Sequence, residues 1–324
     1  MISETGRPLL RCPCSGYNGF MLPLVTHPAY SFPFPARHRF PMEKFALLAD
    51  HAREQGWLTT DNLWRPGRAR TELLARAHCP DYIARFLGNE LTEKEQRRMG
   101  LPWSDGLAQR TRIAPAGTLL TAQLALKHGL ACHLAGGTHH AHYDFGSGFC
   151  IFNDLAVTAR ALLDGGHVQR LLIFDCDVHQ GDGTAALLAD EPRAFTCSIH
   201  CEKNFPARKQ ASDLDLGLAR YTTDADYLST VDETLERALD EAQPELVLYD
   251  AGVDIYERDP LGQLNISSDG ILERERRVLR RCREAGLPVA TVIGGGYDDD
   301  RPALARRHAL VVAAAHELAG AGTS

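Results

Sequence analysis

Two adjacent histidines follow a glycine pair in the segment GGTHH at residues 136–140, and a second polar segment, DCDVHQGD, occupies residues 175–182. In the second segment Asp177 and His179 lie two residues apart, so in an extended loop their side chains point the same way. Asp254, at the end of another predicted strand, offers a third ligand. A single Asp at such a place is more often a helix cap. Two carboxylates and one imidazole with an open position instead suit a catalytic Zn²⁺ or Fe²⁺ site.

The paired histidines could supply the proton-transfer groups that such a metal site lacks. A water that attacks an amide beside a metal needs a base to take its proton and an acid to protonate the leaving amine. His139 and His140 can do both if a carboxylate orients the other nitrogen of each ring, and Asp175 and Asp182 are available for this. No pattern assigns a role to His142, which we expect to be structural. The two segments together predict metal-assisted amide hydrolysis.

Three glycines at residues 294–296 precede Tyr297. Their spacing matches neither the P-loop nor the dinucleotide fingerprint, so we interpret them as a turn that aims the Tyr297 hydroxyl. A phenol opposite a metal could polarise a carbonyl and stabilise the oxyanion, whereas an isolated tyrosine at a strand end is more often only buried. Phe149 could be core or line a narrow channel, with Phe205 as a candidate for the opposite wall.

The elements that position these residues are predicted from continuous apolar runs, which are typical of strands covered on both faces. Such runs lie at residues 131–134, 171–174, 195–199, 246–249 and 289–293. Helical patterns alternate with them at about 42–54, 117–129, 153–164, 226–242, 268–286 and 302–318. Asn153 and Asp154 are plausible caps of the third helix.

This alternation predicts an α/β fold in a single domain spanning residues 1–324, with a doubly wound, mainly parallel sheet and helices on both faces. The Pro- and aromatic-rich residues 1–40 are expected to form an irregular segment packed on the domain. Each polar segment follows a predicted strand. Since sites in such sheets form at the carboxyl ends of the strands, we expect the polar residues to converge there.

The composition excludes several classes of protein. A formal net charge of −7 argues against a nucleic-acid binder that relies on counterion release. Nine cysteines without a repeating spacing indicate buried thiols in a reducing cytoplasm, and the Cys12/Cys14 pair has no second pair that would complete a zinc knuckle. No apolar run approaches the length of a membrane span and no signal peptide is recognisable. We therefore expect a cytoplasmic protein that binds neither membrane nor nucleic acid; its oligomeric state is not predicted.

The motifs resemble those of the zinc-dependent histone deacetylase family, in the arginase/deacetylase superfamily, from about residue 40 to the last helix. The matching segments are GGTHHA (136–141), SGFC (147–150), DCDVHQGDG (175–183), DAGVD (250–254) and GGGY (294–297). Gln180 and the segment GLPWS at 100–104 are most similar to the class IV branch and its bacterial relatives. Thr138 and the loop 254–259 depart from the commonest family pattern.

The resemblance implies the arginase/deacetylase fold and a role for each matching residue. Zinc would be held by Asp177, His179 and Asp254, with Fe²⁺ as an alternative ion. His140 would be the general base, oriented by Asp182, and His139 its electrostatic and acid partner, oriented by Asp175. Tyr297 would polarise the acyl carbonyl, the Gly148 backbone oxygen would accept the substrate amide N–H, and Phe149 would line the acyl-lysine tunnel. A structural K⁺ would be bound by backbone oxygens of Asp175, Asp177, His179 and Ile199 and by the Ser198 hydroxyl.

The function predicted on these grounds is a zinc-dependent amidohydrolase that uses a metal-activated water to remove an acetyl or longer acyl group from ε-N-acyl-lysine in proteins or peptides. An alternative keeps the chemistry but takes an acetylpolyamine or another small acylated amine. A binuclear ureohydrolase is disfavoured because Gly181 stands where a further carboxylate ligand is needed. An inactive acyl-lysine-binding module is disfavoured because every ligand, base and tyrosine is present.

Overall fold

The computed structural model describes residues 21–320, so Cys12, Cys14 and residues 1–20 of the expected N-terminal segment lie outside the described part of the chain. Within it, eight strands form one sheet: β1 (Leu24–Val25), β2 (Leu63–Trp64), β3 (Leu130–His133), β4 (Leu171–Asp175), β5 (Ala194–Cys201), β6 (Leu214–Leu218), β7 (Val247–Asp250) and β8 (Val289–Val292). The five strands expected from apolar runs are all present as β3, β4, β5, β7 and β8.

All neighbouring strands run parallel, in the order β2-β1-β3-β8-β7-β4-β5-β6. From β4 the chain proceeds outward to β5 and β6, then returns to place β7 and β8 between β4 and β3. The prediction of a doubly wound parallel sheet is therefore confirmed. Because β4 lies between β5 and β7, the loops after these three strands emerge side by side.

The helices that cover the sheet are α1 (Lys44–Glu54), α2 (Thr71–Leu74), α3 (Pro80–Leu87), α4 (Glu93–Met99), α5 (Asp105–His128), α6 (Asp154–Asp164), α7 (Asp182–Leu188), α8 (Asp224–Ala242), α9 (Ser268–Glu284), α10 (Arg301–His308) and α11 (Leu310–Gly320). The Asn153 side chain caps α6 as expected, accepting a hydrogen bond of 2.9 Å from the Ala156 N–H. No helix among residues 21–320 has the length and apolarity that a membrane span needs.

Successive residues of the central strands enter two different apolar clusters, which shows that both faces of the sheet are covered. On β4, Leu172 and Phe174 join a cluster with α8, α9 and α11, whereas Leu171 and Ile173 join one with α5 and α6. All four side chains are buried. Continuous apolarity in these strands follows from burial on both sides.

Four details differ from expectation. The segment before residue 40 is not wholly irregular, because Leu24–Val25 forms β1, which pairs with both β2 and β3. Helix α5 begins at Asp105, not near residue 117, and continues through Pro115. Its buried side chains offset the hydrogen bond that proline removes, since tertiary packing supplies most helix stability.

The last expected helix is divided into α10 and α11 around Ala309. Backbone hydrogen bonds continue across this position, from Ala309 N to Ala305 O (3.0 Å) and from Ala313 N to Ala309 O (2.9 Å), so the interruption is slight.

The stretch between α1 and α5 contains β2 and three short helices that were not expected. These elements are two to eight residues long, too short for a clear periodic pattern.

Candidate active site

Three side chains from two neighbouring loops converge at the carboxyl edge of the sheet. Asp177 and His179 lie in the loop after β4, and Asp254 lies in the loop after β7. The Nδ1 atom of His179 is 3.0 Å from Asp177 Oδ1 and 3.1 Å from Asp254 Oδ2. One ligand atom from each residue lies within 4.8 Å of the other two, and all three residues are buried.

The surroundings of this triad fit a divalent cation. Asp254 Oδ2 is fully buried and accepts no well-aligned hydrogen bond from the described residues, because the nearby Nδ1 of His179, at 3.1 Å, is directed to Asp177 Oδ1 instead. A buried carboxylate oxygen without a donor is costly, and a cation at this point would satisfy it. A Cβ atom on Gly295 would lie 2.1 Å from the same oxygen and 2.5 Å from Asp177 Oδ2, so glycine is required for the approach of this backbone. Two carboxylates and an imidazole are a donor set that Zn²⁺ and Fe²⁺ accept.

His139 and His140 form a hydrogen-bonded chain beside the triad. His139 Nδ1 is 2.7 Å from Asp175 Oδ2, and His140 Nδ1 is 2.6 Å from Asp182 Oδ1. The two Nε2 atoms face each other at 3.1 Å. His139 Nε2 also lies 3.8 Å from Asp177 Oδ1, which joins the pair to the triad. The structure thus brings both histidines and both carboxylates together in the pairing that the resemblance implied.

The carboxylates around this chain of contacts favour the extra proton on His139. Burial alone would lower the pKa of His139, but the carboxylates of Asp175 and Asp177 outweigh it and hold the pKa well above its ordinary value. Burial and the neighbouring charge of His139 lower the pKa of His140 to about 3. A charged His139 donates from Nε2 to the Nε2 lone pair of a neutral His140, whose Nδ1–H donates to Asp182.

His142 also belongs to this network, which sequence reasoning missed. Its Nε2 atom is 3.0 Å from Asp182 Oδ2, so the Asp182 carboxylate holds two imidazoles, one on each oxygen. The ring of His142 stacks on Phe145 with centroids 4.4 Å apart. The HHAH spacing was the available signal, because it places a third imidazole two residues after His140.

Tyr297 contributes its side chain to the same cavity. The Asp259 carboxylate accepts the Tyr297 N–H at 2.7 Å and so fixes the backbone of the tyrosine. The phenol itself makes no hydrogen bond with any described residue. Burial and the charges of Asp254 and Asp177 raise the pKa of Tyr297 well above its usual value, so the hydroxyl keeps its proton and can donate it in a hydrogen bond. Asp259 was not singled out from the sequence.

Gly148, Phe149 and Phe205 surround the approach to this cavity. A Cβ on Gly148 would come within 2.5 Å of His140 Cδ2 and 3.0 Å of Phe205 Cε1, so the backbone passes close against both rings. Phe149 adopts a φ of 65°, and its ring lies 5.8 Å from that of Tyr297. Phe205 stands edge-on to His140 at 4.8 Å and remains 40% exposed, which places it at the outer side.

Two buried cations also line the cavity and were not predicted as site residues. Lys44 Nζ is 3.3 Å from Gly294 O and 3.2 Å from His308 Nε2, and Arg110 lies over the Phe45 ring at 4.5 Å. Burial and the Arg110 charge lower the pKa of Lys44 to about 8. Neither cation is paired with a carboxylate among the described residues. A lone Lys or Arg in a sequence is normally an exposed residue, so no signal marked them.

Parallel register brings further polar side chains alongside Asp175. Ser198 is its partner on β5 and Asp250 its partner on β7. Ser198 Oγ is 3.0 Å from His200 Nδ1, and Ile199 follows it as a fully buried residue. Both oxygens of Asp250 are buried without a hydrogen-bond partner in the described chain, and burial and the Asp175 charge raise the pKa of Asp250 well above its usual value. Three carboxyl groups, those of Asp175, Asp177 and Asp250, therefore lie close together at this edge of the sheet.

Comparison with known proteins agrees with this geometry. Residues 38–315 match the family model of the histone deacetylase domain. The chain belongs to the histone deacetylase family. Its sheet is thus that of the arginase/deacetylase fold, and it is a hydrolase of the deacetylase type. The family membership expected from the motifs is confirmed.

Several relatives show how far this similarity extends. An uncharacterized protein of Picosynechococcus sp. is 51% identical over 296 residues, covering 91% of this chain and 99% of the relative. Histone deacetylase 2 of Arabidopsis thaliana is 38% identical over 184 residues, which are 56% of this deacetylase-family chain and 48% of the plant protein. Acetoin utilization protein AcuC of Staphylococcus aureus is 30% identical over 262 residues, 74% of this chain and 67% of AcuC.

Proposed function

We propose that this histone deacetylase-family protein is a Zn²⁺-dependent deacylase that hydrolyses the amide of an ε-N-acyl-lysine in a peptide or protein. The observation that carries the proposal is the convergence of three groups on one cavity. These groups are the carboxylate–imidazole triad, the carboxylate-oriented histidine pair and a phenol without a partner in the described chain. Metal-assisted amide hydrolysis needs all three functions, namely a Lewis acid, a proton relay and an oxyanion donor.

Asp177, His179 and Asp254 would hold the metal. When bound, Zn²⁺ supplies Lewis acidity both for the attacking water and for the acyl carbonyl. His140 then serves as the base at its Nε2 atom, because its Nδ1–H is engaged by Asp182 at 2.6 Å. The attacking water takes the place of His139 Nε2, which faces this lone pair at 3.1 Å. His139 holds positive charge beside it, 2.7 Å from Asp175.

Tyr297 would complete the oxyanion site. Its hydroxyl keeps its proton and has no competing acceptor in the described chain, so it is free to donate to the acyl oxygen as negative charge develops. The proton taken by the histidine pair returns to the leaving lysine amine, which balances the hydrolysis. The buried charges of Lys44 and Arg110, which line the cavity, favour the carboxylate product.

The residues around the approach to the cavity favour a narrow, partly apolar substrate. Phe149 and Phe205 would flank the alkyl chain of the acyl-lysine, and the Gly148 carbonyl would accept the substrate amide N–H. A structural K⁺ would lie on the β5 side of Asp175, where the register brings Ser198 alongside, and would use backbone oxygens of Asp177, His179 and Ile199.

The test is a panel of acyl-lysine peptides of rising acyl length together with acetylpolyamines, assayed for free amine after chelator treatment and reconstitution with Zn²⁺ or Fe²⁺. We expect metal-dependent release from at least one acyl-lysine peptide, and its loss in His140→Ala but not in His167→Ala, where the replaced histidine is exposed. Turnover of acetylpolyamines alone would reassign the substrate to small amines. Full activity after complete removal of the metal would contradict the proposed chemistry.

A further inference from the structure

A buried ion pair lies beneath the metal-site loops and takes no part in the chemistry described above. Arg274 and Glu275 lie on α9, and both side chains are fully inaccessible to solvent. Arginine and glutamate are almost never fully buried unless they are paired, and burying such a pair costs desolvation that its own attraction often fails to repay. Stabilisation of the fold is therefore a weak explanation for the burial of this pair. The contacts of Arg274 indicate a different role.

Arg274 bonds to both loops that carry the carboxylate ligands. Its Nη1 donates to Gly252 O at 2.8 Å and to Cys176 O at 3.2 Å. Cys176 directly precedes Asp177, and Gly252 lies two residues before Asp254. A single nitrogen of one side chain thus joins the backbone of the loop after β4 to the backbone of the loop after β7.

The two loops need such a connection because they bring like charges together. The carboxylates of Asp177 and Asp254 must both approach one ion, and in a buried site their mutual repulsion is poorly screened. On the ligand side, the described loops meet through the hydrogen bond from Val178 N to Asp254 Oδ1 at 2.9 Å and through the contact of His179 Nδ1 with Asp254 Oδ2 at 3.1 Å, and a bound metal would replace the second of these. A guanidinium on the opposite side both bonds the loops and offsets the negative charge.

The guanidinium is itself held in a fixed orientation. Glu275 Oε1 accepts a hydrogen bond from Arg274 Nη2, and the Tyr249 hydroxyl donates to Glu275 Oε2 at 2.5 Å. The Tyr227 hydroxyl lies 3.3 Å from Arg274 Nη1. Tyr249 is on β7, just before the loop that carries Asp254. The Arg274–Glu275 pair is therefore hydrogen-bonded both to β7 and to the loop that follows it. Groups that orient ligands in this way tune the affinity of a metal site.

We propose that Arg274 is a positioning residue that sets the spacing of Asp177 and Asp254 and thereby the affinity and geometry of the metal site. This inference rests on the proposed function, since it requires that the triad bind a divalent cation. Lysine cannot replace the residue, because its single ammonium nitrogen cannot reach both carbonyls and also keep the contact that Arg274 makes to Glu275 through its second nitrogen, Nη2.

The experiment compares Arg274→Met and Arg274→Lys with Arg276→Met in the full chain. Arg276 is a matched control on the same helix, where it pairs with Glu317 at the surface. The measurements are the Co²⁺ affinity by competition with a chromophoric chelator and the visible absorption of bound Co²⁺, which reports ligand geometry. We expect both Arg274 variants to bind Co²⁺ about 10–100-fold more weakly with an altered spectrum, and Arg276→Met to match the unsubstituted protein.

Arg274→Met leaves a buried glutamate without its partner and can prevent folding, so the double variant Arg274→Met/Glu275→Gln removes both charges. We expect circular dichroism to show this variant folded and its Co²⁺ affinity still reduced. A lower unfolding temperature with unchanged Co²⁺ affinity and spectrum in the folded variants would overturn the inference and leave the metal site intact. Failure of the unsubstituted protein to bind Co²⁺ would overturn the proposed function together with it.

Discussion

The substitution Tyr297→Phe tests whether the Tyr297 hydroxyl acts in catalysis or only in the stability of the fold. The Tyr297 phenol has no hydrogen-bond partner in the described chain, whereas its backbone N–H is fixed to Asp259 at 2.7 Å. A phenylalanine would therefore keep the position of the ring, 5.8 Å from Phe149, and leave no buried group newly unpaired. We expect the free energy of unfolding to be unchanged or slightly higher.

The effect on turnover should be large. Removal of one oxyanion donor costs about 10²–10³-fold in kcat, or roughly 2.7–4 kcal/mol. Because the hydroxyl acts on charge that develops during the reaction, KM should change little while kcat and kcat/KM fall together. The assay is steady-state release of free lysine amine from the best acyl-lysine peptide, with urea unfolding measured on the same preparation.

Tyr82→Phe provides a control with the opposite expectation. The Tyr82 hydroxyl is buried and donates to Ile151 O at 3.0 Å, so its loss should cost about 1 kcal/mol of unfolding free energy without lowering kcat. A Tyr297→Phe variant that keeps kcat within threefold of the unsubstituted protein would refute the oxyanion role. A matching loss of stability would refute the conclusion that its hydroxyl has no partner.

Three further changes test other parts of the site. Gly295→Ala would place a Cβ 2.1 Å from Asp254 Oδ2, so calorimetric titration should show loss of stoichiometric Zn²⁺ binding in a folded protein; retained binding would contradict this. Asp182→Asn should lower kcat about 10²-fold, with Zn²⁺ stoichiometry unchanged, because the base loses its orientation. Burial lowers the pKa of His78 from 6.5 to about 4, and the Nε2 atom of this residue accepts the Asn153 N–H. Between pH 6.5 and pH 4, His78 is therefore protonated in the unfolded chain but neutral in the folded chain. Stability should therefore fall by about 2 kcal/mol from pH 7 to pH 5 through this residue, and His78→Gln should remove that part of the slope in urea unfolding.

The central sheet could be predicted because its strands are buried on both faces. Continuous apolar runs marked β3, β4, β5, β7 and β8, and polar residues directly after them marked the edge where the site forms. The two-residue strands β1 and β2 gave no such signal, since a pattern needs several residues to repeat. Helix α5 was predicted too short because Pro115 indicates a boundary locally, whereas its packing on the sheet is a tertiary effect.

Within the site, the sequence indicated residue types but not every neighbour. The Asp175–His139 and Asp182–His140 contacts join segments that both carried recognisable patterns. The charged residues that lie next to these segments in the fold, such as Arg274, did not come from a recognisable sequence pattern. Arg274 comes from a helix whose sequence is that of an ordinary amphipathic surface helix, and its inward orientation depends on packing that no local pattern encodes.

The arrangement of charge explains why binding and folding should be linked in this protein. Buried carboxyl groups are concentrated at the ends of β4 and β7, and both oxygens of Asp250 and the Oδ2 atom of Asp254 accept no well-aligned hydrogen bond from the described chain. Two nearby cationic groups, His139 and Arg274, are each engaged by a carboxylate of their own. A divalent cation that binds only the folded chain would relieve this imbalance and stabilise the fold by about 4 kcal/mol at a thousand times its Kd. The proposed metal is therefore expected to be part of the folding energetics of the site and not only of its chemistry.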